Sequence, residues 1–412
     1  MRLQGKQSEQ GFTLVEIMVA TTITSVIVLA GMSALTMTGK AVRANEQTSD
    51  AQQNARMAME MITHDIKMAG FGPQIDPSKN PPPVGNCGIG GTPVPILPGD
   101  NNPTVGVADT GPDQISLLVP LTFYGAPAVP AWQTTAPIIV TGTPPFSTLN
   151  SISINAAILP AMTAAGLGPN SFISLGGIFA TQVQGAAAPM LLPVPDPAPR
   201  QIPTGTQVFI LQCITYQVIP QLAGGAPGAD LFGICGGNAP CLVRGIANAV
   251  VNDGFGRTLP NCNVVASPCL PIVNGIEDIQ FAYACDGCLL PAAGLSEPDG
   301  RIDDVSLNLI FDQPDYISNR IWNNPPMIPS AIKMVQVSIV ARQQSVDSGL
   351  GEGNSQAGPG TLSTTFLTVD DHLHAGGVFV AGDAGAQVPP YATVRRRVVT
   401  RTVETRNARP WS

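Results

Sequence analysis

Residues 11–37 read GFTLVEIMVATTITSVIVLAGMSALTM, and this stretch decides how the rest of the chain is arranged. Its only charged residue is Glu16, and the short leader before it carries Arg2, Lys6 and Glu9. About twenty consecutive apolar residues can cross a bilayer as a helix, because a helix satisfies its own backbone hydrogen bonds in hydrocarbon. The stretch therefore predicts one membrane-spanning helix near the start of a chain of 412 residues.

The bond that looks cleavable lies before the apolar region, between Gly11 and Phe12. A secretory signal peptide is cut after its apolar region, so this order of segments differs from one. The segment GFTLVE at 11–16 resembles the N-terminal signal of type IV prepilins. The resemblance implies a leader at 1–11, cleavage after Gly11 by a prepilin peptidase, N-methylation of Phe12 and retention of the whole apolar helix.

Glu16 is an unusual residue for an apolar span. An ionised carboxylate in hydrocarbon costs several kcal/mol and is therefore a functional-site hypothesis by default. Cleavage after Gly11 would create an amine on Phe12, one helical turn from Glu16. We predict that this amine on a neighbouring subunit is the partner of Glu16 in assembly, and the resemblance implies the same pairing. The alternative is a plain membrane anchor in which Glu16 reaches the interface from the first turn.

The charge balance and the cysteines indicate where the rest of the chain resides. With 20 Lys and Arg against 28 Asp and Glu, the net charge is −8, so no nucleic-acid partner is expected. All eight cysteines follow the apolar stretch, which favours disulfides in an oxidising compartment. Arg2 and Lys6 favour a cytoplasmic start, so a single pass through the inner membrane would place residues beyond about Lys40 outside the cytoplasm.

The helical pattern continues after the apolar stretch. Small or apolar residues recur three, four or seven positions apart and would share one helix face. They are Ala44, Ala51, Ala55, Ile62, Ile66 and Ala69. Gly70 is a suitable helix stop, so we predict one helix over 12–69, roughly 87 Å long at 1.5 Å per residue. Its first half would lie in the membrane or in a filament core, and its second half would pack on a head domain at 70–412.

The predicted head is rich in strands and loops. The 43 Gly and 40 Pro predict long irregular loops, above all a loop without regular elements at 71–111 and an insertion at about 125–200. Within that insertion, short strand candidates lie around 138–141 and 171–175. Longer β-prone segments lie at 113–123, 206–219, 241–251, 272–284, 304–311, 331–342, 361–369 and 394–406. Pro120 would put its strand at a sheet edge or a bulge, and alternation over 334–340 predicts a half-buried strand. One long helix on an antiparallel sheet gives an α+β fold.

Four further segments resemble PilW-type minor pilins of type IV pili. They are residues 69–72, 273–283, 335–342 and 395–403, so the similarity covers the helix and about the last third of the chain. The resemblance implies a non-enzymatic subunit that joins other pilins through its helix and depends on the inner-membrane assembly machinery. The Pro/Gly-rich middle of the chain matches no family pattern.

Eight cysteines permit 105 pairings, and sequence does not choose among them. Our hypothesis pairs near neighbours, namely Cys235 with Cys241, Cys262 with Cys269 and Cys285 with Cys288, which leaves Cys87 with Cys213. The CxxC at 285–288 has three other interpretations: a redox pair, half of a zinc site and a haem attachment. The haem interpretation needs a His after the second cysteine, but this chain has Leu289.

Other chemistry is sparse in the sequence. Asp299 and Asp303 lie among four carboxylates around a Gly turn and form a weak calcium candidate, which we rank below a solvated turn because the EF-hand spacing is missing. His372 and His374 are interpreted as loop residues rather than as a metal pair. No P-loop, dinucleotide fingerprint or catalytic motif is found, so we predict neither a metal nor another cofactor nor an enzyme.

The sequence therefore predicts a minor pilin that is processed by prepilin peptidase, held in the membrane and then extracted into a filament, near its tip. Its large head with many loops suits a tip subunit better than a repeating major subunit. Two alternatives are a larger pseudopilin of type II secretion, which would share this N-terminus and a similar sheet, and a surface adhesin that borrows the pilin helix for display.

Overall fold

The computed structural model describes most of the helix and of the core strands. The described residues are 12–71, 87–89, 92–101, 103–104, 111–120, 138–139, 150–152, 172–177, 179–182, 190–192, 201–220, 230, 232–236, 240–247, 249–264, 269–288, 299–308, 310–323, 327–343, 367–369, 372–374 and 396–405. The predictions for Gly11, for the rest of the leader and for most of 121–200 lie outside this set. The elements, contacts and counts given for this protein belong to these described residues.

One helix, α1, runs over Leu14–Met68 and has 55 residues. Thr13 is its N-cap and Ala69 its C-cap, so the helix begins two residues later and ends one residue earlier than the predicted 12–69. Gly70 follows with φ of 69°, a left-handed conformation that glycine adopts without a steric cost. The remaining elements are mainly antiparallel strands of a globular head, so the fold is α+β as predicted.

The strands of the described part are numbered in chain order. They are β1 (Gly88–Ile89), β2 (Thr92–Pro93), β3 (Ile96–Gly99), β4 (Gln114–Pro120), β5 (Ile138–Ile139), β6 (Asn150–Ile152), β7 (Phe172–Leu175), β8 (Phe179–Gln182), β9 (Met190–Leu192), β10 (Gln201–Ile202), β11 (Val208–Ile219), β12 (Cys241–Gly245), β13 (Ala249–Asn252), β14 (Thr258–Asn261), β15 (Leu270–Asn274), β16 (Ile276–Cys285), β17 (Ile332–Arg342), β18 (Leu367–Val369), β19 (His372–His374) and β20 (Arg396–Glu404). Two short 3₁₀ helices, Gln313–Asp315 and Pro329–Ala331, lie between β16 and β17.

Two sheets form the body of the head. The larger has seven strands in the order β15-β12-β11-β4-β3, with β7 paired to β11 and β8 paired to β7. The smaller has the order β16-β17-β20. Among the described residues, five further pairs of short strands, such as β13 with β14, complete the set, and these pairs too are antiparallel.

The core lies where α1 meets both sheets. One cluster of buried apolar side chains contains residues of α1 together with residues of β3, β4, β11, β12, β15, β16, β17 and β20. Ala55, Ala58, Ile62 and Ile66 supply the helix side of this cluster and are completely buried. The small alanines allow the backbone of α1 to approach the strands closely, so the C-terminal half of the helix is an integral part of the head.

Gly275 divides a segment that was predicted as one strand at 272–284. Its φ is 77°, and it separates β15 of the larger sheet from β16 of the smaller one. The Gly275 N–H donates to Pro240 O at 2.7 Å, and its carbonyl accepts from Arg342 N at 2.7 Å. The chain therefore changes sheets at the Asn274-Gly275 pair, a turn-forming dipeptide that the prediction from strand propensity passed over.

Two other strand predictions were wrong in extent or in kind. Residues 241–251 form two strands, β12 and β13, which belong to different sheets. Residues 304–311 form no strand where described, and Leu307 in their middle has φ of 60°. The Ser306 N–H donates to Asp315 and the Asn308 N–H donates to Asp304 in this loop. These two donors are therefore not available to a neighbouring strand.

Pro120 lies at a local edge as predicted, whereas the burial of β17 differs from expectation. Strand β4 lies between β11 and β3, but β3 pairs only with residues 114–117, so Pro120 at the end of β4 pairs on the β11 side alone. The proline fits because it stands at the last paired position, opposite Leu211. Strand β17 is not half-exposed, because Gln336 and Ser338 on its second face are buried too, Gln336 in hydrogen bonds with Gln313 and Ser338 in one with Thr400.

The loop-rich regions contribute more to the sheets than predicted. Strand β3 lies within 71–111, where no regular element was expected, and β7 lies within the predicted insertion yet pairs with β11. The candidates at 138–141 and 171–175 appear as β5 and β7. The strands predicted at 206–219, 331–342 and 394–406 appear as β11, β17 and β20. Of 361–369, the described part is β18.

Candidate functional site

The N-terminal half of α1 extends away from the head with its apolar side chains exposed. Every residue from Phe12 to Arg43 is exposed, and Phe12 retains 83% of its accessible surface. The helix is long and apolar enough to cross a membrane, and the apolar window lies entirely outside the head. An apolar surface of this size is unstable in water and must be covered by lipid or by other helices.

Most hydroxyl groups in this half are hydrogen-bonded within the helix itself. Six Thr and Ser side chains donate to carbonyl oxygens three or four residues earlier at 2.8–3.0 Å, namely Thr21, Thr22, Thr24, Ser25, Thr36 and Thr38. A hydroxyl bonded in this way carries no unsatisfied donor into hydrocarbon. These polar residues are therefore compatible with burial in lipid or in a bundle of helices.

Glu16 and Thr13 form a capping box at the start of α1. The Thr13 N–H and the Thr13 hydroxyl both donate to Glu16 Oε2 at 2.9 Å, and Thr13 Oγ1 accepts from the Glu16 N–H at 3.3 Å. The pattern satisfies backbone donors that have no partner inside the helix, and it places a carboxylate at the positive end of the helix dipole. Glu16 thus has a hydrogen-bond partner within its own chain, and that partner directly follows Phe12.

The C-terminal half of α1 is attached to the head by a buried polar cluster, the Asp65 cluster, formed by Asp65, Tyr216 and Arg244. The Tyr216 hydroxyl donates to Asp65 Oδ2 at 2.5 Å, and Arg244 Nε lies 2.8 Å from the same oxygen and 3.0 Å from the Tyr216 oxygen. Tyr216 belongs to β11 and Arg244 to β12, so the cluster joins the helix to the middle of the larger sheet.

The electrostatics of the Asp65 cluster hold the protons of Tyr216 and Arg244 in place. Burial, and then the Asp65 carboxylate, raise the pKa of Tyr216 far above its ordinary value, so its proton stays in place as a hydrogen-bond donor. Burial opposes the charge on Arg244, but its neighbours Tyr216 and Asp65 outweigh that effect and raise the pKa of Arg244. The protonated Arg244 therefore makes a directional, largely buried hydrogen bond to the Asp65 carboxylate rather than an exposed surface pair.

The end of α1 is also fixed. The Gly70 N–H donates to Leu118 O at 2.9 Å, and the ring of Phe71 meets that of Phe209 edge-on at 5.1 Å. Gly177 packs on Phe71 so closely that a Cβ there would lie 2.9 Å from the ring. The end of the helix is therefore held by strands of the larger sheet, and pulling on the helix would load that sheet directly.

The eight cysteines form four disulfides in the head, with the predicted pairs. These are Cys87–Cys213, Cys235–Cys241, Cys262–Cys269 and Cys285–Cys288, and no free cysteine remains among them. The first joins segments 126 residues apart, whereas the other three close local loops. The Cys285–Cys288 pair lies beside Asp303, and one oxygen of that carboxylate accepts the Gly287 and Cys288 N–H groups at 3.0 and 2.6 Å.

The weak calcium candidate is a loop organised by backbone hydrogen bonds. Asp299 Oδ1 accepts from the Arg301 N–H at 2.8 Å, while the Asp299 N–H donates to Asp286 Oδ1 at 3.0 Å. Asp303 accepts the N–H groups of the CxxC turn. These carboxylates therefore have structural partners in and around their own loop. His372 and His374, which were interpreted as loop residues, are instead the two ends of β19.

Sequence reasoning missed two sets of residues. Thr13 was not singled out, although Thr followed three residues later by Glu is the pattern of a capping box. The Asp65 cluster was missed because Tyr216 and Arg244 are 151 and 179 residues away from Asp65 in the chain. The available signal was an Asp close to the predicted apolar helix face, since Asp65 directly precedes Ile66.

Comparison with known proteins gives a result for the N-terminal helix. Residues 6–32 match the family model described as the prokaryotic N-terminal methylation motif. The chain carries a prepilin-type signal. It is also 37% identical over 62 residues to the pilin-like protein PilA3 of Thermus thermophilus, an alignment that covers 15% of this chain and 27% of that protein. No solved structure matches the chain significantly.

Proposed function

We propose that the chain is a structural, non-catalytic subunit of a type IV pilus, a minor pilin of the PilW type that works near the filament tip. Prepilin peptidase removes residues 1–11, Phe12 becomes the N-methylated first residue, and the helix holds the protein in the inner membrane with the head at 70–412 outside the cytoplasm. The assembly machinery then extracts the subunit into the filament. The observation that carries the proposal is a prepilin-type methylation motif at residues 6–32 that overlaps the fully exposed apolar half of α1.

The division of α1 into two halves supports this assignment. The apolar half can exchange lipid for neighbouring helices without changing its own conformation, because its helical backbone and most of its hydroxyl groups are already hydrogen-bonded within the helix. The other half is locked into the head by the Asp65 cluster and by buried alanines. One helix can therefore serve in turn as membrane anchor and as filament core while the head stays unchanged.

Glu16 would guide assembly in this proposal. In the single chain its carboxylate is held by Thr13, and in a filament it would gain the amine of a neighbouring Phe12. A charge pair inside an apolar bundle is favourable only if both partners are in place, since an unpaired charge there costs several kcal/mol. Such a pair selects subunits at the correct axial position and rejects others.

The test replaces Glu16 with Ala in the cell and scores incorporation into purified filaments. We expect cleavage and membrane insertion to continue, since the change makes the span more apolar, and incorporation to be abolished or crippled. Asp50→Ala is the matched control, because Asp50 is an exposed carboxylate on the same helix outside the apolar half. Normal incorporation of the Glu16→Ala chain would contradict the proposal and favour a plain anchor.

Two rival functions predict other outcomes of deleting the gene. A pseudopilin of type II secretion predicts lost enzyme secretion with intact pili, whereas a pilus subunit predicts the reverse. A pilin-anchored adhesin predicts intact pili with reduced surface attachment. We expect impaired pilus assembly, and its absence would contradict the assignment.

A further inference from the structure

Strand β20 is a long and uncovered edge of the smaller sheet. It pairs with β17 over its whole length, and among the described residues no strand pairs with its other side. Most of its side chains are exposed, although α1 packs against the same strand. Natural proteins normally cover or interrupt such an edge with a proline or a bulge, because its unpaired backbone groups can accept a further strand. The sequence of β20, RRVVTRTVE, contains no proline, and its register with β17 contains no bulge.

The backbone of β20 presents hydrogen-bonding groups along this edge. The Thr405 N–H, directly after β20, donates to Lys333 O at 2.8 Å. In an antiparallel pair, positions that bond to the partner strand alternate with positions whose N–H and C=O groups point away from it. The odd-numbered residues of β20 therefore bond to β17, whereas Val398, Thr400 and Thr402 direct their N–H and C=O groups outward. These three positions are roughly 7 Å apart and match the repeat of an added strand.

Two arginines indicate the chemistry of the strand that would fit. Arg397 and Arg401, which we call the arginine pair, are exposed, and neither has an ion-pair partner among the described residues. Residues four positions apart in a strand share a face, so both side chains lie on the face of β20 that α1 covers, with the half-buried Val399 between them. An added strand would complement this face with two carboxylates four residues apart and an apolar residue midway.

Other charges near β20 leave the arginine pair as the local excess. Arg396 is already paired with Glu277, its Nη2 lying 2.9 Å from Oε1. Glu404 is exposed, but it lies at the end of β20 and on the opposite face. On the flank of α1 away from β15, Arg56 and Glu60 are exposed one helical turn apart and add no net charge. A positive edge in a chain with a net charge of −8 favours an acidic occupant.

A second copy of this chain does not fit the edge. The face that carries the arginine pair has only arginine and valine in β20, so a second β20 offers it no carboxylate in any register. Antiparallel pairing of two copies would also relate them by a twofold axis normal to the sheet. Their helices would then point in opposite directions, and the two apolar halves could not enter one membrane from the same side. The occupant is therefore a different chain.

We propose that β20 binds an extended acidic segment of another protein as an added strand. The backbone of that segment pairs with Val398, Thr400 and Thr402, and two carboxylates four residues apart face the arginine pair. Addition of a strand to a sheet edge takes its affinity from main-chain hydrogen bonds and its specificity from alternate side chains. The inference concerns the head alone and goes beyond a role in filament assembly.

The first test measures binding of a fluorescent peptide to the full-length chain in detergent by anisotropy. The peptide is as long as β20 and consists of threonines, with a valine at its centre and a glutamate two positions to either side. We expect it to bind about tenfold or more tightly than the same peptide with lysines in place of the glutamates. Arg397→Glu combined with Arg401→Glu should abolish this preference, whereas Arg301→Glu, at an exposed arginine elsewhere on the head, should preserve it. No binding, or equal binding of both peptides, would overturn the proposal.

The second test separates strand addition from simple charge attraction. Thr400→Pro removes an N–H that points away from β17, so it should block the added strand while the ladder to β17 remains. Thr400→Ala is the matched control, because it loses the same hydroxyl group but keeps the N–H. We expect the glutamate peptide to bind to the alanine variant only, and to slow hydrogen exchange at Val398, Thr400 and Thr402 in the unsubstituted chain. Equal binding by both variants, or unchanged exchange, would overturn the proposal. Neither test uses filaments, so failure here would leave the proposed function standing.

Discussion

Asp65 is a buried carboxylate of α1. One of its oxygens accepts hydrogen bonds from a tyrosine and an arginine on two different strands. Asp65→Asn would leave Arg244 partly buried without this counter-charge. We expect the free energy of unfolding to fall by about 3 kcal/mol, within the range for breaking a buried ion pair. Urea unfolding of the full-length chain in detergent measures this.

The control for Asp65 is Glu60→Gln, an exposed carboxylate earlier on the same helix, which should change stability by less than about 0.5 kcal/mol. Tyr216→Phe removes two hydrogen bonds, the one donated to Asp65 and the one accepted from Arg244, and should cost about 2–3 kcal/mol at about 1–1.5 kcal/mol for each. Equal stability of the Asp65 and Glu60 variants would contradict the role of the cluster as the link between helix and head.

Asp315 makes the head sensitive to acid. Burial alone would raise the pKa of Asp315, but the N–H groups of Ser306 and Asp312 outweigh burial and hold that pKa below its ordinary value. A depressed pKa stabilises the fold above the unfolded value of about 3.9 and loses that contribution as pH falls through the folded value. We therefore expect the melting temperature to drop below about pH 4. Asp315→Asn should lower the melting temperature at neutral pH and flatten its acid dependence, unlike Asp50→Asn.

At the scale of elements, two substitutions in the first turn of α1 distinguish helix capping from charge pairing. Thr13→Ala removes the cap, which costs about 1 kcal/mol of local helix stability, but keeps the Glu16 charge. Glu16→Gln keeps acceptor and donor groups near Thr13 but removes the charge. If charge pairing drives assembly, Glu16→Gln should cripple incorporation into filaments and Thr13→Ala should reduce it only slightly. The opposite order in quantified filament preparations would show that capping, rather than charge, is what matters.

The elements also show what sequence could and could not provide. The apolar stretch, the buried face of α1 and strands such as β11 and β17 follow from local composition, so they were predictable. The break at Gly275 had a local signal, the turn-forming Asn274-Gly275 pair, which strand propensity overrode. The loop at 304–311 was not predictable from its own composition, because Asp315, which accepts the Ser306 N–H, lies outside it. The Asp65 cluster, too, depends on strands far along the chain.

At the scale of the whole molecule, the disulfides should contribute unequally to stability. Closing a longer loop restricts the unfolded chain more, so the entropic model assigns about 5 kcal/mol to Cys87–Cys213 and about 2 kcal/mol to Cys285–Cys288. Replacing both cysteines of a pair with Ala, followed by urea unfolding, should reproduce that order. Equal losses would indicate that residual structure in the unfolded chain, rather than loop closure, sets the contribution of each bridge.

The molecule as a whole is a disulfide-linked head joined to an exposed apolar helix, and we propose that this helix passes from the membrane into a filament. The most direct test of this account is the N-terminal residue of the mature chain recovered from purified filaments, read by mass spectrometry. We predict N-methylated Phe12, with the apolar half of α1 intact. A mature chain that begins after Met37, or one that keeps residues 1–11 and never enters filaments, would contradict it.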